Sequence, residues 1–134
     1  MQCIKVAPGT DLRALAPLGC GVTTGFGAVE NVLKPDSGSI IGIWGLGGVG
    51  MSSLLAAKHR NAETIIAVDV VPERLALATE LGATHAINGR DEDVKEQIMA
   101  LTGGRMLTRE QSCRLESCVM RLTYEPTSCC CRCC

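Results

Sequence analysis

The sequence predicts an α/β protein that contains part of a doubly wound parallel sheet. Two short apolar runs, at residues 39–44 and 64–68, are each followed by a segment of helical periodicity. The second run is apolar at every position after Thr64, as in a parallel strand buried on both faces. Directly after the first run stand Gly45, Gly47 and Gly50, with the spacing G-x-G-x-x-G. Because a strand, a glycine turn and a helix in this order are typical of dinucleotide binding, we expect the first β-α-β-α-β half of a Rossmann domain.

Length, charge and hydropathy exclude several classes of protein. The chain has 134 residues, enough for one modest domain. Its formal net charge of −1 gives no electrostatic reason to expect nucleic acid or an anionic membrane surface as a partner. We find no apolar run of the roughly 18–20 residues that span a bilayer, and no apolar region of signal-peptide length near Met1. We therefore expect a cytoplasmic protein.

The cysteines divide the chain into segments. There are nine, and all except Cys3 and Cys20 lie at residue 113 or beyond. A disulfide framework would distribute its cysteines over the whole fold, whereas these are concentrated at one end. The composition changes near residue 105. We expect a lead-in and linking helix at residues 1–38, a partial NAD-binding domain at 39–104, and a Cys-rich tail at 105–134 that is disordered or partly helical.

In the lead-in, residues 3–6 are expected to be extended, and Asp11 is placed to cap a brief helical turn that ends at Leu15. Glycines and a proline make residues 17–21 a predicted loop. A helix is expected from Thr23 or Thr24 to Leu33, and Pro35 ends it. Phe26, Val29, Val32 and Leu33 are predicted to share one face of this helix.

The central segment predicts three further helices and a short strand. The first helix spans residues 49–60, and the second runs from Pro72 to residue 81, with Gly82 as the residue that ends it. A strand is expected at residues 85–87, and a third helix at 91–101. In the first helix, Met51, Leu54, Leu55 and Lys58 are predicted to share one face, and Ala56 and Ala57 permit close packing on a sheet. In the third helix, Val94, Ile98 and Leu101 are predicted to face inward.

The tail beyond Gly104 contains no apolar strand run. A capping-box pattern at Thr108 and Gln111 and apolar residues at helical spacing predict a helix at 109–123. We interpret the Cys-rich residues that follow as an out-of-frame or mis-spliced continuation. The alternative is a lipidated or metal-binding tail, because the pairs Cys130/Cys133 and Cys131/Cys134 have a spacing typical of zinc ligands.

Asp69 is the candidate partner of the glycine turn. It stands at the end of the second predicted strand, 19 residues after Gly50. At that position a carboxylate accepts hydrogen bonds from the adenosine ribose hydroxyls, and its charge favours NAD over NADP. Arg74 is near enough to share the ribose region. The alternatives are a helix-capping or surface aspartate and a solvated helix arginine.

A metal role for Cys20 has little support from its own neighbourhood. A lone cysteine is usually a small apolar residue, and a catalytic zinc site needs three protein ligands. No other cysteine or histidine lies in a motif beside Cys20. We expect His59 to lie on a solvated helix face and His85 to be structural.

Residues 16–104 resemble the zinc-dependent medium-chain alcohol dehydrogenases, especially the aryl-alcohol type. The matching blocks are residues 17–28, 45–50, 65–69 and 80–85. The resemblance implies that Cys20 is a ligand of a catalytic zinc, that Thr24 and Val49 lie near the nicotinamide, and that Asp69 and Arg74 contact the ribose. Cofactor residues implied in the glycine turn are Gly45, Gly47, Gly48, Val49 and Gly50. The implied reaction is hydride transfer between an alcohol and NAD, with zinc as a Lewis acid.

The same resemblance implies parts that this sequence lacks. Members of the family carry a catalytic domain with the other zinc ligands, and further strands after the position of Gly104. We therefore expect an inactive fragment whose first strand has an unpaired edge, a hazard for aggregation. Its partners would be an alcohol or aldehyde substrate and a full-length relative or a second copy. The alternatives are a non-catalytic dinucleotide-binding or interaction module, or the remnant of a frameshifted gene.

Overall fold

A parallel four-stranded sheet forms the centre of the molecule. The computed structural model describes residues 5–104 and the backbone of residues 109–112. The strands are β1 (Ile40–Trp44), β2 (Thr64–Asp69), β3 (His85–Asn88) and β4 (Arg109–Ser112). Their order in the sheet is β3-β2-β1-β4, and all three pairs are parallel. The predicted α/β fold with a partial Rossmann sheet is therefore confirmed.

Helices connect and cover these strands. Before the sheet come α1 (Leu12–Leu15), a 3₁₀ turn (Ala16–Gly19) and α2 (Gly21–Gly27), which continues as a π-helix (Ala28–Leu33). The helices α3 (Gly48–His59), α4 (Pro72–Leu81) and α5 (Val94–Leu101) follow β1, β2 and β3 respectively. In the described part of the chain, no helix is both long and apolar enough to cross a membrane.

Each face of the sheet has its own apolar cluster. Ile41 and Ile43 of β1 pack with α3 and the π-helix in the larger cluster, where Leu54 and Val29 are fully buried. The smaller cluster lies on the other face, where Ile98 of α5 covers strand residues. These strand residues are Ile40, Ile66, Val68 and Ile87. Because β1 and β2 alternate between the two clusters, their near-continuous apolar sequence is explained by burial on both faces.

In the N-terminal segment, the predicted cap at Asp11 is confirmed and two other predictions need correction. Asp11 does cap α1, since its carboxylate accepts a hydrogen bond from the backbone N–H of Arg13 at 2.9 Å. The predicted loop at residues 17–21 is instead a 3₁₀ turn followed directly by α2, because Pro17 fits the first turn of a helix. Val32 was predicted to share a face with Val29 and Leu33, which are buried, but it is 51% exposed, since the π-helix changes the angular spacing of its residues.

The apolar faces of α3 and α5 were predicted only in part. Ala56 and Ala57 of α3 are fully buried in the larger cluster with Leu54, as their predicted close packing requires. Leu55 is 43% exposed and Lys58 is also exposed, so the face that they were predicted to share with Met51 is only partly buried. Leu101 is 42% exposed, whereas Ile98 is buried. A turn at residues 91–93 precedes α5, so that helix begins at Val94 and not at residue 91.

The edge of β1 that was predicted to lack a neighbour is paired. Backbone of β4 lies beside it, with Ile41 opposite Arg109 and Trp44 opposite Ser112. The prediction of a helix from residue 109 is therefore wrong for residues 109–112. The rest of that predicted helix, the predictions for the Cys-rich tail, and Cys3 and Ile4 of the lead-in lie outside the described residues.

Candidate functional site

The glycine turn is a compact link between β1 and α3. Gly45 has a φ of +86°, in the region that favours glycine, and its N–H donates to the carbonyl of Val68 at 2.8 Å. The turn then brings Gly50 of α3 back over Gly45. A Cβ on Gly50 would lie 2.0 Å from the carbonyl oxygen of Gly45, so no larger residue fits there. Gly45 and Gly50 therefore determine the shape of the turn.

Gly47 and Gly48, which lie between Gly45 and Gly50, leave the surface at the start of α3 free of side chains. Gly47 and Gly48 are exposed, and a Cβ on either would meet no atom within 4 Å. No side chain caps the first turn of α3. The N–H groups and the positive dipole end at a helix start attract anions, and phosphate groups above all. The chain can therefore approach a phosphate closely at Gly47 and Gly48.

Asp69 ends β2 and faces this turn. Its Oδ2 accepts a hydrogen bond from the backbone N–H of Leu46 at 2.6 Å, and its Oδ1 accepts one from Val71 at 2.9 Å. The residue is 6% exposed. Burial would raise the pKa of Asp69, but hydrogen bonds from the backbone of Leu46, Val71 and Val70 and the charge of Arg74 lower it below its usual value. Asp69 is therefore a buried, ionised carboxylate.

Arg74 lies on the outer side of Asp69. Its guanidinium Nη1 is 3.7 Å from Oδ2 of Asp69, and its side chain is 52% exposed. This pair is long and solvated on the arginine side, so it contributes little to stability. Its position leaves the guanidinium accessible at the carboxyl edge of the sheet, where the glycine turn also lies.

The candidate residues before the sheet lie on one short stretch of chain. Cys20 precedes α2 and is an exposed free thiol, and Thr24 is exposed one turn later, with its N–H bonded to the carbonyl of Cys20 at 2.8 Å. Gly25, the next residue, packs against Val49 of α3. Thr24 is therefore close in the chain to the contact between α2 and the glycine turn.

A metal site is not formed by the side chains that the structure describes. Among these residues no group of three or more His, Cys, Asp and Glu side chains is placed to hold an ion. Cys20 is the sole described cysteine, and the described histidines lie elsewhere, on α3 and β3. The donor set does not fit a zinc ion, which needs at least three protein ligands.

Sequence reasoning missed two features of this region. The first is the hydrogen bond from the backbone N–H of Leu46 to Asp69. It has no sequence signal, because a backbone N–H is not specific to any residue type and the two residues lie 23 positions apart. The second is the contact between Gly25 and α3, in which Ser53 also takes part. A glycine within a helical segment was the available signal, since such a glycine often marks close helix packing.

Comparison with known proteins decides the family. A family model described as zinc-binding dehydrogenase matches residues 48–109. Over 101 residues the chain is 40% identical to an S-(hydroxymethyl)glutathione dehydrogenase of Synechocystis, a match that covers 74% of this chain and 27% of the relative. It is 42% identical over 105 residues to a geraniol dehydrogenase of Castellaniella defragrans, with 78% and 28% covered. This chain belongs to the zinc-dependent alcohol dehydrogenase family.

Solved structures of alcohol dehydrogenases share the fold. A zinc-binding alcohol dehydrogenase domain protein from Burkholderia ambifaria matches with a TM-score of 0.73 and 51% identity, over 81% of this chain and 29% of that one. A benzyl alcohol dehydrogenase from Acinetobacter calcoaceticus matches with a TM-score of 0.73 and 44% identity, over 81% and 30%. The chain thus spans less than a third of the length of these dehydrogenases. The resemblance inferred from the sequence is confirmed.

Proposed function

We propose that this chain supplies the adenosine and pyrophosphate part of the cofactor site of an NAD-dependent alcohol dehydrogenase. The observation that carries the proposal is the ionised Asp69 carboxylate, buried at the tip of β2 and bonded to Leu46 in the glycine turn. It lies at the carboxyl edge of a parallel sheet, where doubly wound folds bind their ligands. The membership of the alcohol dehydrogenase family supports the same assignment.

Asp69 would bind the adenosine ribose. A carboxylate has about four acceptor positions on its two oxygens, and the backbone bonds occupy only part of them. The backbone donors hold the carboxylate in place before any ligand arrives, which lowers the cost of ordering it. A ribose hydroxyl would donate to the remaining positions, and Arg74 at the exposed side would contact the same ribose.

The charge of Asp69 would also select the cofactor. A 2′-phosphate placed at this carboxylate would meet like charge, and a like charge at close range costs several kcal/mol (about 4 kcal/mol at 4 Å with an effective dielectric of 20). The guanidinium of Arg74 offsets only part of this repulsion, because it is half exposed and 3.7 Å away. The expected cofactor is therefore NAD and not NADP.

The glycine turn would bind the pyrophosphate. Gly45 and Gly50 hold the turn in its tight form, and Gly47 and Gly48 leave its outer surface free of side chains. The phosphates would then accept hydrogen bonds from the N–H groups at the start of α3. Val49 belongs to the first turn of α3 and Thr24 precedes Gly25, which contacts Val49. Both residues would face the remaining half of the dinucleotide.

The bound cofactor supplies the chemistry, since the nicotinamide ring accepts or donates the hydride. The residues of this chain bind and orient the dinucleotide. Cys20 is proposed as one ligand of a zinc ion, although the described residues do not complete such a site. Relatives that act on geraniol and benzyl alcohol support a primary alcohol or its aldehyde as the substrate class.

Calorimetric titration of the chain with NAD and with NADP tests the cofactor assignment. We expect NAD to bind at least tenfold more tightly than NADP, and Asp69→Asn to weaken NAD binding by roughly tenfold. Asp36→Asn is the matched control, because Asp36 is exposed and precedes β1 at the opposite edge of the sheet. If the folded Asp69→Asn variant binds NAD as tightly as the wild-type chain does, the proposal is overturned.

A non-catalytic dinucleotide-binding module is the second candidate function. It is favoured by one observation: among the described residues, no group of three or more His, Cys, Asp and Glu side chains is placed to hold a metal ion. An assay of NADH formation from benzyl alcohol, with Zn²⁺ added, separates the two functions. NAD binding without turnover supports the binding module, whereas turnover that chelators abolish supports the enzyme.

A further inference from the structure

Two helices of this molecule approach each other very closely at Gly25. A Cβ placed on this buried residue of α2 would lie 2.2 Å from the carbonyl oxygen of Val49 and 2.9 Å from the Cβ of Ser52. Both neighbours belong to the first turns of α3, directly after the glycine turn. Any side chain at Gly25 would therefore displace α2 from α3.

A buried hydroxyl links the same two helices. Ser53 of α3 is fully buried, and its Oγ lies 3.1 Å from the carbonyl oxygen of Gly25 and 2.9 Å from that of Val49. The hydroxyl proton is shared between an acceptor on α2 and one on its own helix. Ser52, its neighbour, differs, because its Oγ donates to Gly48 within α3 at 2.6 Å. The bond from Ser53 thus crosses to α2, whereas the bond from Ser52 stays within α3.

Helices α2 and α4 lie on opposite sides of α3. Lys58 contacts α4, where its Nζ donates to the carbonyl of Leu81 at 3.0 Å. Lys58 follows Val49 by nine residues, which at about 100° per residue places it half a turn around the helix. Asp69 leads into α4 and therefore lies on that side. A dinucleotide with its ribose at Asp69 and its pyrophosphate at the start of α3 continues towards α2.

We propose that Gly25 and Ser53 are positioning residues for the nicotinamide half of the cofactor. They hold α2 against the first turn of α3, so that the exposed Thr24 stands beside the path of the cofactor beyond the pyrophosphate. The inference rests on the proposed function, since it assumes that the dinucleotide binds at Asp69 and the glycine turn. It goes further by assigning the placement of α2 to two residues that need not touch the cofactor.

Paired substitutions on each helix test the inference. Gly25→Ala is compared with Gly27→Ala, because a Cβ on Gly27 would meet only the Asn31 side chain, at an ordinary 3.5 Å. Ser53→Ala is compared with Ser52→Ala, which removes a buried hydroxyl of the same size that does not cross between helices. Circular dichroism checks the fold of each variant. Because Ser53→Ala removes only a hydroxyl group, this variant tests the inference even if Gly25→Ala does not fold.

Two ligands distinguish positioning from general loss of structure. NAD extends over both halves of the proposed site, whereas ADP-ribose lacks the nicotinamide ring and uses the half at Asp69 and the glycine turn. By calorimetry, we expect NAD affinity to fall roughly tenfold in Gly25→Ala and about threefold in Ser53→Ala, with ADP-ribose affinity within about twofold of wild type. We expect Gly27→Ala and Ser52→Ala to bind both ligands as wild type does.

The other outcomes overturn the inference in distinguishable ways. If the folded Ser53→Ala variant loses NAD and ADP-ribose affinity equally, the two residues stabilise the fold and do not position the cofactor. If NAD affinity stays unchanged in both Gly25→Ala and Ser53→Ala, α2 has no part in binding. If the wild-type chain binds ADP-ribose no better than Asp69→Asn does, the proposed function itself fails, and the inference fails with it.

Discussion

The backbone N–H of Leu46 donates a hydrogen bond to Oδ2 of Asp69 at 2.6 Å, within the buried interior of the protein. This bond joins the middle of the glycine turn to the tip of the neighbouring strand. Asp69 thereby belongs both to the fold and to the candidate site. A side chain with both roles should affect stability and ligand affinity when it is changed, and the two effects can be measured separately.

Asp69→Ala should destabilise the chain by about 1–3 kcal/mol, because it leaves the buried N–H of Leu46 without its acceptor. Asp69→Asn retains an acceptor oxygen and should recover part of this loss. Urea unfolding followed by circular dichroism gives the free energies of unfolding. Glu80→Ala is the control, since that exposed carboxylate of α4 should change stability by no more than about 0.5 kcal/mol. Equal stability of Asp69→Ala and wild type would show that the bond contributes nothing.

The contribution of Asp69 should disappear in acid. Its pKa is lower in the folded chain than its usual value, so the folded state is favoured while the carboxylate is ionised. This stabilisation is complete above the unfolded pKa, about 3.9, and is lost as the pH falls through the lower folded pKa. The stability difference between wild type and Asp69→Asn should therefore be constant from pH 7 to 5 and shrink below about pH 4. Urea midpoints of both proteins over that range measure it, and a difference that grows on acidification would contradict the assignment.

Much of the fold was predictable because burial leaves a pattern in the sequence. The strands β1 and β2 are apolar nearly throughout, and α4 carries its own signals in Pro72 and Gly82. Backbone pairing leaves no such pattern. The residues of β4 (Arg109–Ser112) include no apolar or β-branched side chain, so periodicity could not identify a strand that pairs with β1 through its main chain.

The candidate site was predictable to a similar extent. The glycine spacing, together with the apolar strand before it and the helix after it, indicated the glycine turn and Asp69, because a turn of this kind needs glycines at fixed positions. The sequence could not indicate that Leu46 bonds to Asp69 or that Ser53 bonds to Gly25. Both bonds have a backbone atom at one end and join residues more than 20 positions apart, so they follow from tertiary packing and not from local sequence.

The glycines of the turn should separate folding from binding. Gly50→Ala should destabilise the chain strongly, because its Cβ would lie 2.0 Å from the backbone oxygen of Gly45, and backbone cannot shift as easily as the end of a flexible side chain. Gly47→Ala should leave stability within about 1 kcal/mol, since Gly47 has a φ of −76° and open space around it. The methyl group of Gly47→Ala would instead occupy the surface proposed for the pyrophosphate and weaken NAD binding by at least about tenfold. Thermal unfolding and calorimetry measure the two effects, and unchanged NAD binding by Gly47→Ala would refute this location for the pyrophosphate.

Gly82, which ends α4, should resist substitution because of its backbone conformation. Its φ of +120° is strained for any residue with a Cβ, and a Cβ there would also lie 2.6 Å from Cδ of Lys58. We expect Gly82→Ala to destabilise the chain by about 1–2 kcal/mol in urea unfolding. Gly38→Ala, in open space and without a positive φ, is the control and should have little effect.

The two causes of strain at Gly82 can be separated with Lys58. Its side chain is exposed and flexible at its end, so we expect it to move aside and leave the φ of residue 82 as the main cost. In that case the double variant Lys58→Ala/Gly82→Ala should be no more stable than Gly82→Ala. It should be less stable if the hydrogen bond from Lys58 to the carbonyl of Leu81, which the double variant also loses, contributes to stability. If removing the lysine side chain instead restores the stability of the Gly82→Ala protein, the contact with Lys58 and not the backbone is what excludes a side chain there.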